Sequence, residues 1–359
     1  MTFPRRVSVT SFLLLASAIS SAALLAGCGP TDTPKSDAQL QQEIVVHMRS
    51  LILDEIQGLS TAARDLQAAA PSQLSGWDPA GDGITAMAAM REAWKRTRDH
   101  WERVEGTLSP LFADLDGALD SRYEDVLQQL GGDDNPFDHD GMTGMHAVER
   151  ILFAPGPQDV VDYEATLPGY WLAALPGTDQ QAADFKVGLC QRLIEDTQSL
   201  MTGWQSRPID LGVVFSGLTG LLSAQLEKVS LAAEQKEESR YSQTTMLDLR
   251  SNLAGTRAIY KLFVPWLATK NYGSALDHSA TTAFDALEQT YSDVAGNDIP
   301  APPATWAASP NSAENLRSPF GVLYLGVSQA VDPSRSGSVV DSMNAVARTL
   351  NLPEFTGQN

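Results

Sequence analysis

The apolar residues of this chain recur with the period of an α-helix almost from end to end, and this narrows the fold more than any other feature. Between Leu40 and Ala70, apolar side chains at 44, 45, 48, 51, 52, 56 and 59 fall near the 3.6-residue repeat of a long amphipathic helix. A loop rich in Pro, Gly and Ser runs from Pro71 to Gly83, and a second helix is expected over about Ile84 to Thr107, closed by Ser109-Pro110. Leu115 to Leu130 reads as a shorter helix, stopped by Gly131-Gly132-Asp133-Asp134-Asn135-Pro136. One helix follows around 144–153 and ends at Ala154-Pro155-Gly156-Pro157. The pattern resumes at about 159–174, 178–205, 208–235, 243–269, 277–295, 310–329 and 336–350. Segments rich in β-branched residues and bounded by hairpin turns are missing. The periodicity therefore predicts an all-α chain. About 320 ordered residues exceed the comfortable size of one core, so two helical bundles in tandem are expected, over 38–206 and 207–359, divided at Arg207-Pro208.

The N-terminus carries an export address. Arg5 and Arg6 precede an apolar stretch from Ser11 to Leu25, and Leu25-Ala26-Gly27-Cys28 is a lipobox. Residues 1–27 are thus expected to leave as a lipoprotein signal peptide, with Cys28 lipidated and 28–37, containing Pro30 and Pro34, as a tether. An ordinary secretory signal with a chance cysteine is the alternative. Glycine after the cysteine, in place of aspartate, favours the outer membrane in proteobacterial sorting. The expected location is extracytoplasmic, with the protein held to the membrane by its lipid at the periplasmic face or the cell surface. After Cys28 no segment approaches the roughly 18 consecutive apolar residues of a spanning helix. Cys190, the only other cysteine, reads as a buried free thiol. A net charge of −19 argues against nucleic acid as a partner and suits either solubility or cation capture.

Chemistry concentrates in Thr143-Gly144-Met145-His146-Ala147-Val148-Glu149-Arg150. On a helix, positions i and i+3 share a face, so His146 and Glu149 can point at one ligand, and an imidazole with a carboxylate suits a transition metal. Glu102 and Glu105, in Trp101-Glu102-Arg103-Val104-Glu105, repeat the same spacing upstream. If the two helices are neighbours, three carboxylates and an imidazole converge inside a bundle, as metal sites in bundles do. Between them lies the acidic stretch from Asp114 to Asp125, where Asp120 and Asp125 are candidates for a further ligand or for a supporting hydrogen bond. Against this stands a plainer arrangement, in which Glu102 pairs with Arg98 as a solvated i,i+4 neighbour and Glu105 faces water.

In order and spacing, Trp101-Glu102-Arg103-Val104-Glu105, Asp114-Leu115-Asp116 with Leu119-Asp120-Ser121-Arg122 and Asp125, and Thr143 to Glu149 resemble imelysin-like proteins, nearest the periplasmic domain of EfeO-type iron-uptake components. Arg240-Tyr241-Ser242-Gln243-Thr244-Thr245 resembles a run that opens a long helix in those relatives, with Gln243 in place of a histidine and Thr245 in place of an aspartate. The resemblance implies two four-helix bundles and a metal-linked Gly-x-His-x-x-Glu motif, here Gly144, His146 and Glu149. The family also carries a metallopeptidase label, which the residues do not support. No His-Glu-x-x-His occurs, and Arg150 stands where the inverted motif needs a second histidine.

The remaining histidines, His47, His100, His139 and His278, read as structural or exposed, and the tryptophans as core. The expected protein binds a transition metal, iron first and zinc or copper as compatible alternatives, through His146 and Glu149, then Glu105 and Glu102, then Asp120. Its role would be uptake or delivery to a membrane permease or other uptake partner, with no catalysed reaction. The competing readings are a metallopeptidase and a surface adhesin or scaffold whose His146–Glu149 pair only locks a helix into its bundle.

Overall fold

Helices form where the apolar spacing places them, and the breaks between them are what build the site. The computed structural model describes residues 34–81, 83–307 and 311–357; the expected leader, Cys28 and the first residues of the tether lie outside these. Asp37–Ala69 forms α1, whose buried stripe Leu40, Ile44, Met48, Ile52, Ile56, Leu59, Ala63 and Leu66 repeats every three or four residues. There follow α2 (Ile84–Glu102), α3 (Glu105–Leu108), α4 (Ala113–Asp120), α5 (Tyr123–Leu130), α6 (Gly144–Leu152), α7 (Gln158–Glu164), α8 (Asp179–Asp184) and α9 (Cys190–Ser206). The second half holds α10 (Leu211–Leu231), α11 (Thr245–Leu267), α12 (Gly273–Ser292), α13 (Pro319–Val331) and α14 (Val339–Leu350). No strand occurs among the described residues, so the fold is all-α.

In the first helix group α1 packs on α2 and α9, while α6 lies against α2 and α4 against α9. In the second, α10 packs on α13 and α14, α11 on α12, and α12 on α13 and α14. The groups meet where α10 crosses α3 and α11 crosses α1 and α2, and one apolar core runs through both. Arg207-Pro208-Ile209-Asp210 is the connection, and the Asp210 carboxylate caps α10 by accepting from the Gly212 and Val213 N–H groups. No described helix is long and apolar enough to cross a membrane.

Three departures from the expected helices matter. The helix expected to reach Thr107 stops at Glu102 and restarts at Glu105. Its freed Glu102 carbonyl accepts a 2.9 Å hydrogen bond from Asn252 on α11. That approach requires glycine at 255, where a Cβ would sit 1.9 Å from the Arg103 carbonyl oxygen. The helix expected over 115–130 divides at Ser121-Arg122 into α4 and α5. The helix expected over 159–174 ends at Glu164, and Pro168-Gly169 continues in irregular chain, with Gly169 in the left-handed region at φ 76°.

Candidate metal centre

Gly144 opens α6 with φ 85°, a backbone conformation that glycine adopts without steric cost. A Cβ here would lie 2.6 Å from the carbonyl oxygens of both Ala118 and Leu119. Glycine therefore lets the start of α6 press on the end of α4, and two residues later His146 faces Asp120.

The two ring nitrogens of the buried His146 have different surroundings. Nδ1 lies 3.1 Å from Glu149 Oε2. Nε2 lies 3.3 Å from Asp120 Oδ1 and 3.6 Å from Glu238 Oε1, yet makes no well-directed hydrogen bond to either. One ligand atom from each of Asp120, His146 and Glu238 falls within 4.8 Å of the others. A buried, unpartnered imidazole nitrogen between two carboxylates fits a transition metal: the lone pair and two anionic oxygens supply three ligands of mixed type.

Each ligand candidate is held from behind. Asp120 accepts from the Trp101 indole N–H at 2.8 Å through Oδ2 and pairs with Arg98 through Oδ1. Glu149 Oε1 accepts three hydrogen bonds, from the N–H groups of Tyr241 and Ser242 (3.1 and 2.9 Å) and from the Ser242 hydroxyl (2.9 Å). That clamp draws the segment before α11 onto α6 and places Glu238 opposite His146. A carboxylate on the distal nitrogen of a metal-binding histidine orients the ring and fixes its tautomer.

Two basic side chains fill the space beside this triad. Arg98 is completely buried. It pairs with Glu102 and Asp120 and lies 3.6 Å from Glu238 and 3.7 Å from Asp248. Lys228 of α10 reaches Glu105 at 3.1 Å, Glu238 at 3.4 Å and Glu102 at 3.5 Å. Asn252 donates to Glu102 Oε2 at 2.6 Å and Glu105 Oε2 at 2.9 Å. Its own oxygen accepts from Gln225 at 3.0 Å, and Gln225 in turn accepts from the Tyr291 hydroxyl at 2.8 Å. A polar chain thus runs from α12 to the site.

Electrostatics follow from this packing. Burial pulls the Asp120 carboxyl up, but Arg98 and then His146 outweigh it and hold it below the usual range. Glu238 goes well below, because Lys228, His146, Arg122 at 3.5 Å and Arg98 overcome its burial. Burial disfavours the His146 imidazolium, yet the surrounding Asp120, Glu149 and Glu238 carboxylates raise its pKa well above 6.5. Burial dominates at Glu102, which is raised well above the usual carboxyl value, and lifts Asp248 to about 6.

A cleft of about 250 Å³ lined by Glu105, Asp116, Asp120, Asp125, Lys228 and Glu238 leads to the triad. The acidic stretch around 114–125 therefore borders the site, with Asp116 and Asp125 on the cleft wall. Of the residues named from sequence, His146 and Asp120 meet directly, and Glu149 sits on the opposite ring nitrogen. Glu102 and Glu105 gather around Lys228 and Asn252. The Arg98–Glu102 pair forms but is buried, where the plainer arrangement had it solvated. His100 pairs with Glu55 of α1 at 2.7 Å; His47, His139 and His278 are exposed; Cys190 is a buried free thiol. Glu238 and Lys228 were missed, and Arg98 was read only as a solvated partner of Glu102. Glu238 lies in Lys236-Glu237-Glu238-Ser239, a charged run with the look of a solvated loop, and its one signal is that it precedes the Arg240-Tyr241-Ser242 run.

The imelysin family model matches residues 50–317. The iron uptake system component EfeO of Yersinia pseudotuberculosis serotype I (strain IP32953) is 30% identical over 181 residues, which are 50% of this chain and 38% of that protein. The iron uptake system component EfeM of Pseudomonas syringae pv. syringae (strain B728a) is 26% identical over 223 residues, 59% of this chain and 65% of that protein. The match thus spans less than two thirds of either relative. An imelysin-like protein from Psychrobacter arcticum 273-4, known from its crystal structure, is similar with a TM-score of 0.59 at 12% identity, over 86% of this chain and 97% of that one. That likeness shows a shared fold.

Proposed function

We propose that this chain, which belongs to the imelysin family, binds one transition-metal ion, iron as its cargo, and serves an iron uptake system. The observation that carries the reading is the buried His146 Nε2, without a hydrogen-bond partner and set between Asp120 and Glu238. His146, Asp120 and Glu238 would hold the ion, and Glu149 would keep the Nδ1 proton so that the Nε2 lone pair faces the metal. Similarity to proteins named as iron uptake components favours iron among the metals that this mixed donor set accepts. The lipobox at Cys28 suits a protein tethered outside the cytoplasm that passes its ion to a membrane partner.

A peptidase would need a base free to take a proton from a metal-bound water. Glu149 is the carboxylate of the motif, and its two oxygens already serve His146 and the Tyr241–Ser242 segment. Binding and delivery require no such base, and the geometry favours them.

The test is metal binding by a soluble form starting at Gly29, stripped and then titrated with iron, zinc and copper. One equivalent is expected in the wild type and none in His146→Ala, with helical content by circular dichroism unchanged. Equal binding by the two proteins rules out the assigned site.

A further inference from the structure

Bundle sites rich in carboxylates commonly hold two metal ions, and this one has the carboxylates for a second. Beside the Asp120–His146–Glu238 triad, Glu102, Glu105 and the far oxygen of Glu238 converge on one point. That point is filled by the Lys228 ammonium, 3.1 Å from Glu105, 3.4 Å from Glu238 and 3.5 Å from Glu102, with the Asn252 side-chain oxygen 3.4 Å away. Five oxygens from four residues surround one cation, as they would surround a metal ion. Glu238 is shared: Oε1 faces His146 and Oε2 faces Lys228. A carboxylate bridging two cations in this way is the arrangement of a dinuclear centre.

We propose that Lys228 is a resident cation in a second metal position, and that it keeps the centre mononuclear. The inference rests on the metal-binding reading of the triad. Lys228 is only 5% exposed. Its charge is secure, since Glu102, Glu105 and Glu238 more than offset its burial and hold its pKa well above 10.5. Arg98, on the other side of Glu102 and Asp120, adds a second fixed charge, so a further divalent ion meets two cations already seated. The consequence is functional: a single ion held beside a lysine can be carried and released, but the paired ions of two-metal chemistry cannot form.

The experiment removes the ammonium and counts metal. Stripped wild type, Lys228→Met and Lys228→Met/Glu105→Gln are loaded with zinc, desalted and analysed for bound equivalents, with His146→Ala as reference for the triad. The expected counts are one for wild type, two for Lys228→Met and one for the double variant. One equivalent in Lys228→Met, with the wild type also at one, overturns the inference and leaves the triad reading intact. Two equivalents in the wild type overturn the inference as well. No zinc in the wild type sinks the triad reading and the inference with it. Lys228→Gln guards against loss of fold, because its amide still donates to the carboxylates while carrying no charge. It is expected to bind two equivalents, and a single equivalent in that variant also overturns the proposal.

Discussion

His146 and Glu149 lie three residues apart on one face of α6, yet their places in the site are not equivalent. Glu149 meets Nδ1, while Nε2 is the atom that faces Asp120 and Glu238. This assigns the carboxylate to orientation and gives a sharp expectation for Glu149→Gln. Whichever way the amide is placed, its NH2 meets either Nδ1 or the N–H groups of Tyr241 and Ser242, which are themselves donors. The placement that avoids clashing donors turns the NH2 to Nδ1, makes that nitrogen an acceptor and moves the ring proton to Nε2. Metal affinity should fall about 10–100-fold with the fold retained. Zinc titration measures the affinity, and nitrogen NMR of the imidazole reports the tautomer. An unchanged affinity would return Glu149 to a purely structural role.

At the scale of elements, the site depends on where helices stop. The end of α4 supplies Asp120, the start of α6 supplies His146, and the gap between α2 and α3 aims Glu102 and Glu105 at Lys228. Gly144 is the joint between the first two. Gly144→Ala places a Cβ against two carbonyl oxygens in a left-handed conformation. It should cost about 1–3 kcal/mol from the backbone alone, read by chemical denaturation, and should also weaken metal binding by moving His146 away from Asp120. Full stability with full affinity would mean that α6 tolerates a different start. The expected helix over 84–107 missed this kind of detail because nothing local stops it. Arg103 and Val104 are ordinary helix residues, and the break is held by Asn252 and by the close approach at Gly255, both on α11.

For the molecule as a whole, the buried acid cluster couples stability to pH. Burial lifts the Asp248 carboxyl to about 6, above its ordinary 3.8. A folded-state value raised in this way contributes stability that is fully present below pH 3.8 and is lost as pH rises through about 6. The loss is on the order of 3 kcal/mol at neutral pH. Asp248→Asn removes the titration, so the stability difference between wild type and variant should shift in favour of the variant across that window. Unfolding curves recorded in chelator at successive pH values test it, and a difference that stays constant with pH would place the cost elsewhere in the cluster. The same cluster joins the helix groups, since Arg98, Asp120 and His146 come from the first half while Lys228, Glu238 and Asp248 come from the second.

The sequence by itself determined the helical class, most helix positions and the pairing of His146 with Glu149 on one face. These follow from the 3.6-residue period, an intrinsic property of the local backbone. It also marked Asp120, through the spacing of the acidic stretch. Tertiary structure alone decided which imidazole nitrogen faces Asp120, that Glu238 lies beside the same nitrogen, and that Glu102 and Glu105 serve Lys228. Those partners are separated from one another by as many as 126 positions, from Glu102 to Lys228. No local period relates them, and they meet because close backbone approaches at Gly144 and Gly255 fix how the helices pack.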